Sequence, residues 1–367
     1  MYSSSAGPGG ALHLPRSEPA LERGWVMAAT WLCFSSARTC SRVRVVTITV
    51  LTGDRALTVA SDGLLLTGEQ LLEATGWELK DTGLCRGEVC VPVRLTEPAS
   101  LVDVAAALRR PLAVEEVEGT VVAVLGEAGG QVALTGEVAP PLTLRDVDGH
   151  EVALTGTGRK TAVVAWSTWC GCRYELPAWK QLADELKADG LQIITVAVDE
   201  DIDAVKPWVQ EDLTTAVDPE HRLSDVFGIV NVPSTVWLDE DGRVVKPPTI
   251  APGDDQFIEF TKVDADQHHD ALRSWARGGP APVVDDPADD EAVRHARAER
   301  RLAAWLHRHH HLELAEKHFQ AAVALAPLDF SIRRSSMPLR GKDPFGPEFF
   351  ELWEEWSDAG RPGYQLT

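Results

Sequence analysis

Two cysteines separated by a single glycine, Cys170-Gly171-Cys172, stand where an apolar strand-like run, Val163 to Ser167, gives way to a helical pattern. In that pattern Leu176, Trp179, Leu182, Ala183 and Leu186 recur three and four apart. A thiol at the first turn of a helix meets unpaired backbone N–H groups and the positive end of the helix dipole, and both favour thiolate. Cys170 is therefore the candidate nucleophile, exposed at the turn and able to attack a disulfide sulfur or a peroxide oxygen. Cys172 is the residue placed to resolve the mixed disulfide or sulfenic acid that results. Gly171 permits the backbone angles that a bond between residues two apart requires, and so tight a disulfide is strained and readily reduced. That suits a reaction intermediate better than a structural link.

Other reactive side chains are less specific. Cys85 and Cys90 lie five apart across a Gly87 turn, and three readings fit them: a second dithiol that relays electrons, a soft-metal pair, or an inert pair. No histidine lies near them in sequence, which weakens the metal reading. His309-His310-His311 lacks ligand spacing and reads as a solvated turn between helices. Cys33 and Cys40 fall in a leader of doubtful status.

The chain must position these groups within 367 residues, enough for two or three domains. A formal net charge of -21 excludes nucleic acid and anionic membrane surfaces as partners. No run reaches the ~20 apolar residues that span a bilayer. The short apolar stretch from Trp25 to Phe34 has acids upstream, a poor export signal. Six cysteines are too few for a disulfide scaffold, and in pairs they point to redox groups in a reducing compartment, hence the cytoplasm.

Residues 1–42 read as a disordered leader or a mis-assigned start, and 43–135 as a small α+β module. In that module strands flank Gly53-Asp54, a helix starts at Thr67 and stops before Gly76, a second helix spans Ser100 to Leu108, and strands follow at Leu112–Val117 and Thr120–Leu125. Residues 136–277 alternate strand and helix as a thioredoxin arrangement does, with a helix expected near Asp203–Glu211 and a kink at Pro177. A Pro/Asp/Gly linker, 278–290, leads to a helical hairpin at 291–330 and an acidic-aromatic tail at 331–367, helical from Phe345 to Trp356. Ala303, Ala315, Phe319, Ala322 and Pro327 fall at the positions of one tetratricopeptide repeat, and a lone repeat must dock on the chain or on a protein partner to bury its face.

From Pro141 to Trp275 the chain resembles the ResA/TlpA-type thiol-disulfide oxidoreductases and the related alkyl hydroperoxide reductase/thiol-specific antioxidant redoxins. The matching residues are Leu142-x-Leu144-x-Asp146-x-Asp148-Gly149, Trp166-x-x-Trp169-Cys170, Cys172-Arg173-x-Glu175-x-Pro177 and Gly228 to Ser234. Family members carry a proline between the two cysteines that is missing here. The spacing resembles a subfamily in which a tryptophan precedes selenocysteine or cysteine, glycine and cysteine, with Cys170 in the selenocysteine position. The resemblance implies an α/β thioredoxin-like fold and a redox-active dithiol that needs no cofactor but draws electrons from an external, thioredoxin-type thiol donor. It implies that Glu175 handles the proton of the thiol pair; an exposed acid suiting the helix N-terminus fits that position equally well. It also implies a cis Pro233 that sets the Val232 backbone beside the sulfurs, where an extended substrate can pair, and a Trp169 that lines the thiol pocket.

Two function classes follow. The first is a thiol-dependent oxidoreductase acting on protein disulfides or on hydroperoxides as an antioxidant. The second is a non-catalytic interaction protein that uses the thioredoxin-like scaffold and the helical repeat to hold a partner.

Overall fold

A computed structural model describes residues 46–361 apart from 54, 131 and 289; the expected leader, with Cys33 and Cys40, lies outside the described residues. Strands β1 (Val46–Thr52) and β2 (Arg55–Ser61) pair antiparallel from Val46↔Ser61 to Thr52↔Arg55. Helix α1 (Gly68–Thr75) is set by a reciprocal cap: the Thr67 hydroxyl accepts from the Gln70 N–H, and the Gln70 side chain accepts from the Thr67 N–H. Gly76, at φ 74°, ends it. Helix α2 (Leu101–Ala107) is capped by Ser100, and strands β3 (Leu112–Val117) and β4 (Thr120–Leu125) complete a sheet of order β2-β1-β4-β3. A short meander between the helices faces Cys85 with Cys90 across a hairpin, closed as a disulfide.

The second sheet holds the chemistry. Its elements are β5 (Thr143–Arg145), β6 (Glu151–Ala153), β7 (Lys160–Trp166), α3 (Leu176–Leu186), β8 (Leu191–Ala197), β9 (Thr215–Val217), α4 (Arg222–Phe227), β10 (Ser234–Leu238), β11 (Val244–Ile250) and α5 (Ala265–Ala276), with strand order β6-β5-β9-β8-β7-β10-β11. Strand β7 runs parallel to β8 and antiparallel to β10. It is buried on both faces, so it reads as a continuous apolar run rather than an alternating one. Val163 and Ala165 enter one core with Ile194, Val196 and Phe227, while Ala162 and Val164 enter the other with Trp179, Trp237 and Trp275. This is a thioredoxin-like α/β arrangement.

Three local expectations change. The helix expected near Asp203–Glu211 covers only Ile202–Val205 and tightens into a single turn at Lys206–Trp208, because Pro207 cannot donate a helical hydrogen bond. Pro177 lies in the first turn of α3, where no N–H is needed, and kinks nothing. Helix α5 adds an element with little apolar periodicity, because its buried stripe includes His268 and His269 beside Leu272 and Trp275, and histidines do not read as apolar.

Helices α6 (Glu291–Arg308) and α7 (Leu312–Leu325) form the expected hairpin. Its apolar face docks on the first sheet, where Leu302, Leu306 and Phe319 meet Leu51, Val122 and Val124. Arg300, Arg301 and Arg308 on α6 reach instead to Glu200 and Glu220, which follow β8 and β9. The Arg300–Glu200 pair is almost fully buried at 2.6 Å. The hairpin thereby joins the two sheets. His309 to His311 make the turn, and His309 stacks on Trp305 at 3.7 Å. Helix α8 (Pro347–Asp358) closes the described chain by packing Phe349, Leu352 and Trp356 against Phe330. Among the described residues no helix is long and apolar enough to cross a membrane.

Candidate active site

The two parallel strands β7 and β8 end side by side, and the turn after β7 is tied to the residue just beyond β8. The Thr168 N–H donates to the Asp199 carboxylate at 3.0 and 3.2 Å, and the Thr168 hydroxyl donates to it as well. Burial pushes the Asp199 carboxyl up to about 6 despite these donors. The anchored turn leaves Cys170 extended, at φ -112° and ψ 149°, as the cap of a tight helical turn, Gly171–Glu175, that runs into α3.

From there the Cys170 Sγ accepts the Cys172 N–H at 3.3 Å and lies 3.6 Å from the Val232 carbonyl oxygen. The Val232–Pro233 bond is cis. Hydrogen bonding from the Cys172 side chain holds the Cys170 thiol down to about 6 against its burial, and the positive charges of Arg334 and Arg173 add to the effect. Burial drives the Cys172 thiol the other way, well above its ordinary value, and the neighbouring charges of Cys170 and Glu175 reinforce this. Two adjacent thiols are thus poised oppositely, one ionised and one protonated near neutral pH.

Glu175 is 2% exposed, so the reading of it as an exposed first-turn acid fails. Its Oε2 accepts the Gly253 N–H at 2.9 Å, and burial, with the Cys170 charge next among the raising influences, pushes the carboxyl up to about 8. Arg173 clasps the turn by donating to the carbonyls of Thr168 (2.6 Å) and Cys170 (3.0 Å). Trp169 packs beside the thiols in the same core that holds Trp166.

Two features of this site depart from the sequence reading. Cys170 is only 6% exposed, rather than open at the turn. Val232 is 3% exposed and its N–H already donates to the Asn231 Oδ1 at 2.8 Å, so the edge an extended substrate would use is occupied. Cys85 and Cys90 sit in the other module, bonded to each other with Cys90 exposed, and the fold does not bring them to Cys170. Asn231, inside the matched Gly228–Ser234 loop, completes the surroundings with Arg334, Gly253 and Phe257, and these last three had no local signal in the sequence. Each comes from a distant loop and bears on the cysteines only through the fold.

Phe257 explains the size of residue 171. A Cβ on Gly171 would sit 2.8 Å from the Phe257 ring, closer than carbon atoms pack. Gly171→Ala is expected to lower stability by about 1–3 kcal/mol through this overlap, and Gly171→Ala with Phe257→Ala to recover part of the loss. Denaturant melts of the two variants measure the difference.

The AhpC/TSA family model matches residues 135–246. The chain is 29% identical over 132 residues to the thiol-disulfide oxidoreductase ResA of Bacillus thuringiensis subsp. konkukian, covering 35% of this chain and 76% of that protein. It is 30% identical over 116 residues to the ResA of a Bacillus cereus strain, covering 30% of this chain and 67% of the relative. A putative thiol:disulfide interchange protein DsbE from Chlorobium tepidum is similar in structure at 24% identity and TM-score 0.33, covering 40% of this chain and 99% of its own.

The expected cytoplasmic, reducing compartment is corrected by these findings. The ResA relatives are of a kind typically anchored to the membrane or exported, which overturns the cytoplasmic expectation. The closed Cys85–Cys90 bond agrees, since structural disulfides persist in oxidising surroundings. The inference from paired cysteines failed because pairing alone does not separate a working dithiol from a bonded hairpin.

Proposed function

This chain belongs to the ResA-type thioredoxin-like redoxins of the AhpC/TSA group and is a thiol-dependent oxidoreductase; from that premise we propose that it exchanges its own Cys170–Cys172 dithiol with a substrate disulfide. The observation that carries this reading is the opposed poise of the two sulfurs on one turn, with the Cys172 N–H directed at the Cys170 Sγ at 3.3 Å.

The Cys170 thiolate attacks one sulfur of the substrate, forms a mixed disulfide and expels the other sulfur as a thiolate. Cys172 then gives up its proton, attacks the Cys170 sulfur and releases the second substrate thiolate, leaving a Cys170–Cys172 disulfide. Two electrons have passed from the dithiol to the substrate, and an external thiol donor returns them without any cofactor. Glu175 is the proton acceptor for Cys172. While Cys170 is a thiolate its charge helps keep Glu175 protonated; once the mixed disulfide forms, that charge is gone and the carboxylate becomes accessible as a base. Trp169 and the cis Val232–Pro233 bond pack around the pair and fix where an incoming sulfur can stand. In this reading residues 136–277 carry the chemistry, while 43–135 and 291–330 form the body on which that domain is mounted.

Alkylation by iodoacetamide tests the proposal. In the reduced protein one fast-reacting thiol, Cys170 by peptide mapping, is expected with a pH midpoint near about 6. A midpoint at the ordinary ~8.5 would leave a non-catalytic scaffold as the better reading. A hydroperoxide that oxidises the same thiol faster than any disulfide does would place the chain among peroxidases instead.

A further inference from the structure

Cys170 is 6% exposed, and a segment from the far end of the chain packs against the residues that surround it. Asp329 caps a short turn, Phe330–Arg333. Within that turn Ser331 donates its N–H to the Val230 carbonyl at 2.9 Å and its hydroxyl to the Ile229 carbonyl at 3.4 Å. Those carbonyls belong to the loop that leads into the cis Val232–Pro233 bond. Arg334, 5% exposed, lays its guanidinium 5.7 Å from the Trp169 ring and 4.0 Å from Phe349, and its Nε donates to the Pro344 carbonyl at 3.0 Å. Phe345 reaches across to Arg173, 5.2 Å from the guanidinium, which also faces Tyr174 and Trp208. The segment is fixed from beneath, where the Arg300 Nε donates to the Ser335 hydroxyl at 3.1 Å.

Resting on the reading of Cys170 as nucleophile, we infer that the segment from Asp329 to Phe349 is a specificity cap that restricts the dithiol to low-molecular-weight disulfides and favours those bearing carboxylates. Thiol-disulfide exchange needs the attacked sulfur in line with the nucleophile, and a folded protein can present its disulfide only by laying down a broad contact patch, typically ~800 Å² a side. The cap occupies the ground that such a patch requires. It also takes the Val230 carbonyl in the loop that leads to Pro233, where an extended peptide would pair, while the Val232 N–H is held separately by the adjacent Asn231 side chain. A small disulfide needs only a narrow approach to one sulfur. Two guanidiniums, Arg173 and Arg334, stand beside the thiol turn, and although both are held by carbonyls and rings their positive charge favours anionic disulfides over cationic ones.

Single-turnover reduction by the fully reduced protein is the test, because it needs no added donor: one dithiol and one disulfide give one Cys170–Cys172 bond and two substrate thiols. Oxidised glutathione is expected to react at least about tenfold faster than cystamine, its cationic counterpart, at low ionic strength. Insulin is expected to react at least about tenfold more slowly than oxidised glutathione, after each is scaled to its rate with dithiothreitol. Iodoacetamide should label Cys170 readily while a maleimide on a long polyethylene glycol chain does not. Phe345→Ala, chosen because that ring is 42% exposed and outside the core, should raise labelling by the bulky maleimide relative to iodoacetamide. Arg334→Gln should erase the preference for oxidised glutathione over cystamine.

Comparable rates with insulin and oxidised glutathione, or equal labelling by small and bulky reagents, would overturn the cap while leaving the dithiol chemistry intact. Equal rates with oxidised glutathione and cystamine would overturn the charge preference. A Cys170 inert to iodoacetamide at neutral pH would instead overturn the catalytic reading itself.

Discussion

Serine in place of Cys170 is expected to slow disulfide reduction on the order of 10³-fold or more. The reason lies in the environment that the fold builds for this one sulfur. The Cys172 side chain and N–H, with Arg334 and Arg173, hold the thiol down to about 6, so most of it is ionised at pH 7. An alcohol in the same place is not ionised at neutral pH and forms no mixed disulfide, so the second step has no sulfur at position 170 for Cys172 to attack. Cys172→Ser is expected to behave differently. The first attack still occurs, but nothing resolves the adduct, so one substrate half per chain should remain on Cys170 as a mixed disulfide visible by mass. Burial holds the Cys172 thiol well above its ordinary value, which makes it a poor first attacker. A Cys170→Ser variant that accumulates the adduct on Cys172 would reverse the assignment of the two roles.

Much of this site was legible in the sequence because its core is local. Cys170, Cys172 and Glu175 lie within six consecutive residues at a strand-to-helix junction, and the apolar runs on either side dictate that junction whatever the rest of the chain does. The same holds for the cap of α1 at Thr67 and for β3 and β4, whose bounds depend on turns and alternation close at hand. The surroundings were not legible, because they are made by distant segments meeting. Nothing in the order of residues says that Arg334 lies over Trp169 or that Phe257 stands against Gly171; only the docking of α6 on the first sheet, with Arg300 fastened to Glu200, brings the tail back over the thiols. Burial was misjudged for the same reason. Read alone, a turn before a helix looks open to solvent, and Cys170 lies buried in a core that strands and loops distant in sequence assemble around it. The compartment failed on chemistry rather than geometry: a hairpin disulfide and a free dithiol are both two cysteines at short spacing.

Glu175→Gln separates what this carboxyl costs from what it does. Its ordinary value is 4.5 and burial in the folded chain raises it to about 8. A carboxyl raised on folding stabilises nothing in the window between those values: the folded state is unpenalised below about 4.5, loses stability as pH climbs because the unfolded chain releases a proton that the folded one keeps, and stops losing it above about 8. At about 1.4 kcal/mol per pH unit, the accumulated cost at pH 7 is about 3 kcal/mol. Glutamine carries no proton to lose, keeps an oxygen to accept the Gly253 N–H, and fills nearly the same volume. The variant is therefore expected to be more stable at pH 7 by up to about 3 kcal/mol, with a flatter dependence of stability on pH between 4.5 and 8, read by urea melts across that range. Its chemistry should suffer in one step alone. Alkylation of Cys170 should continue, while release of the second substrate thiol, which needs the Cys172 proton removed, should slow by about 10²–10⁴-fold. A purely structural carboxyl would give the gain in stability with no change in the resolving step, so the two measurements together decide whether Glu175 moves a proton or only fills a space.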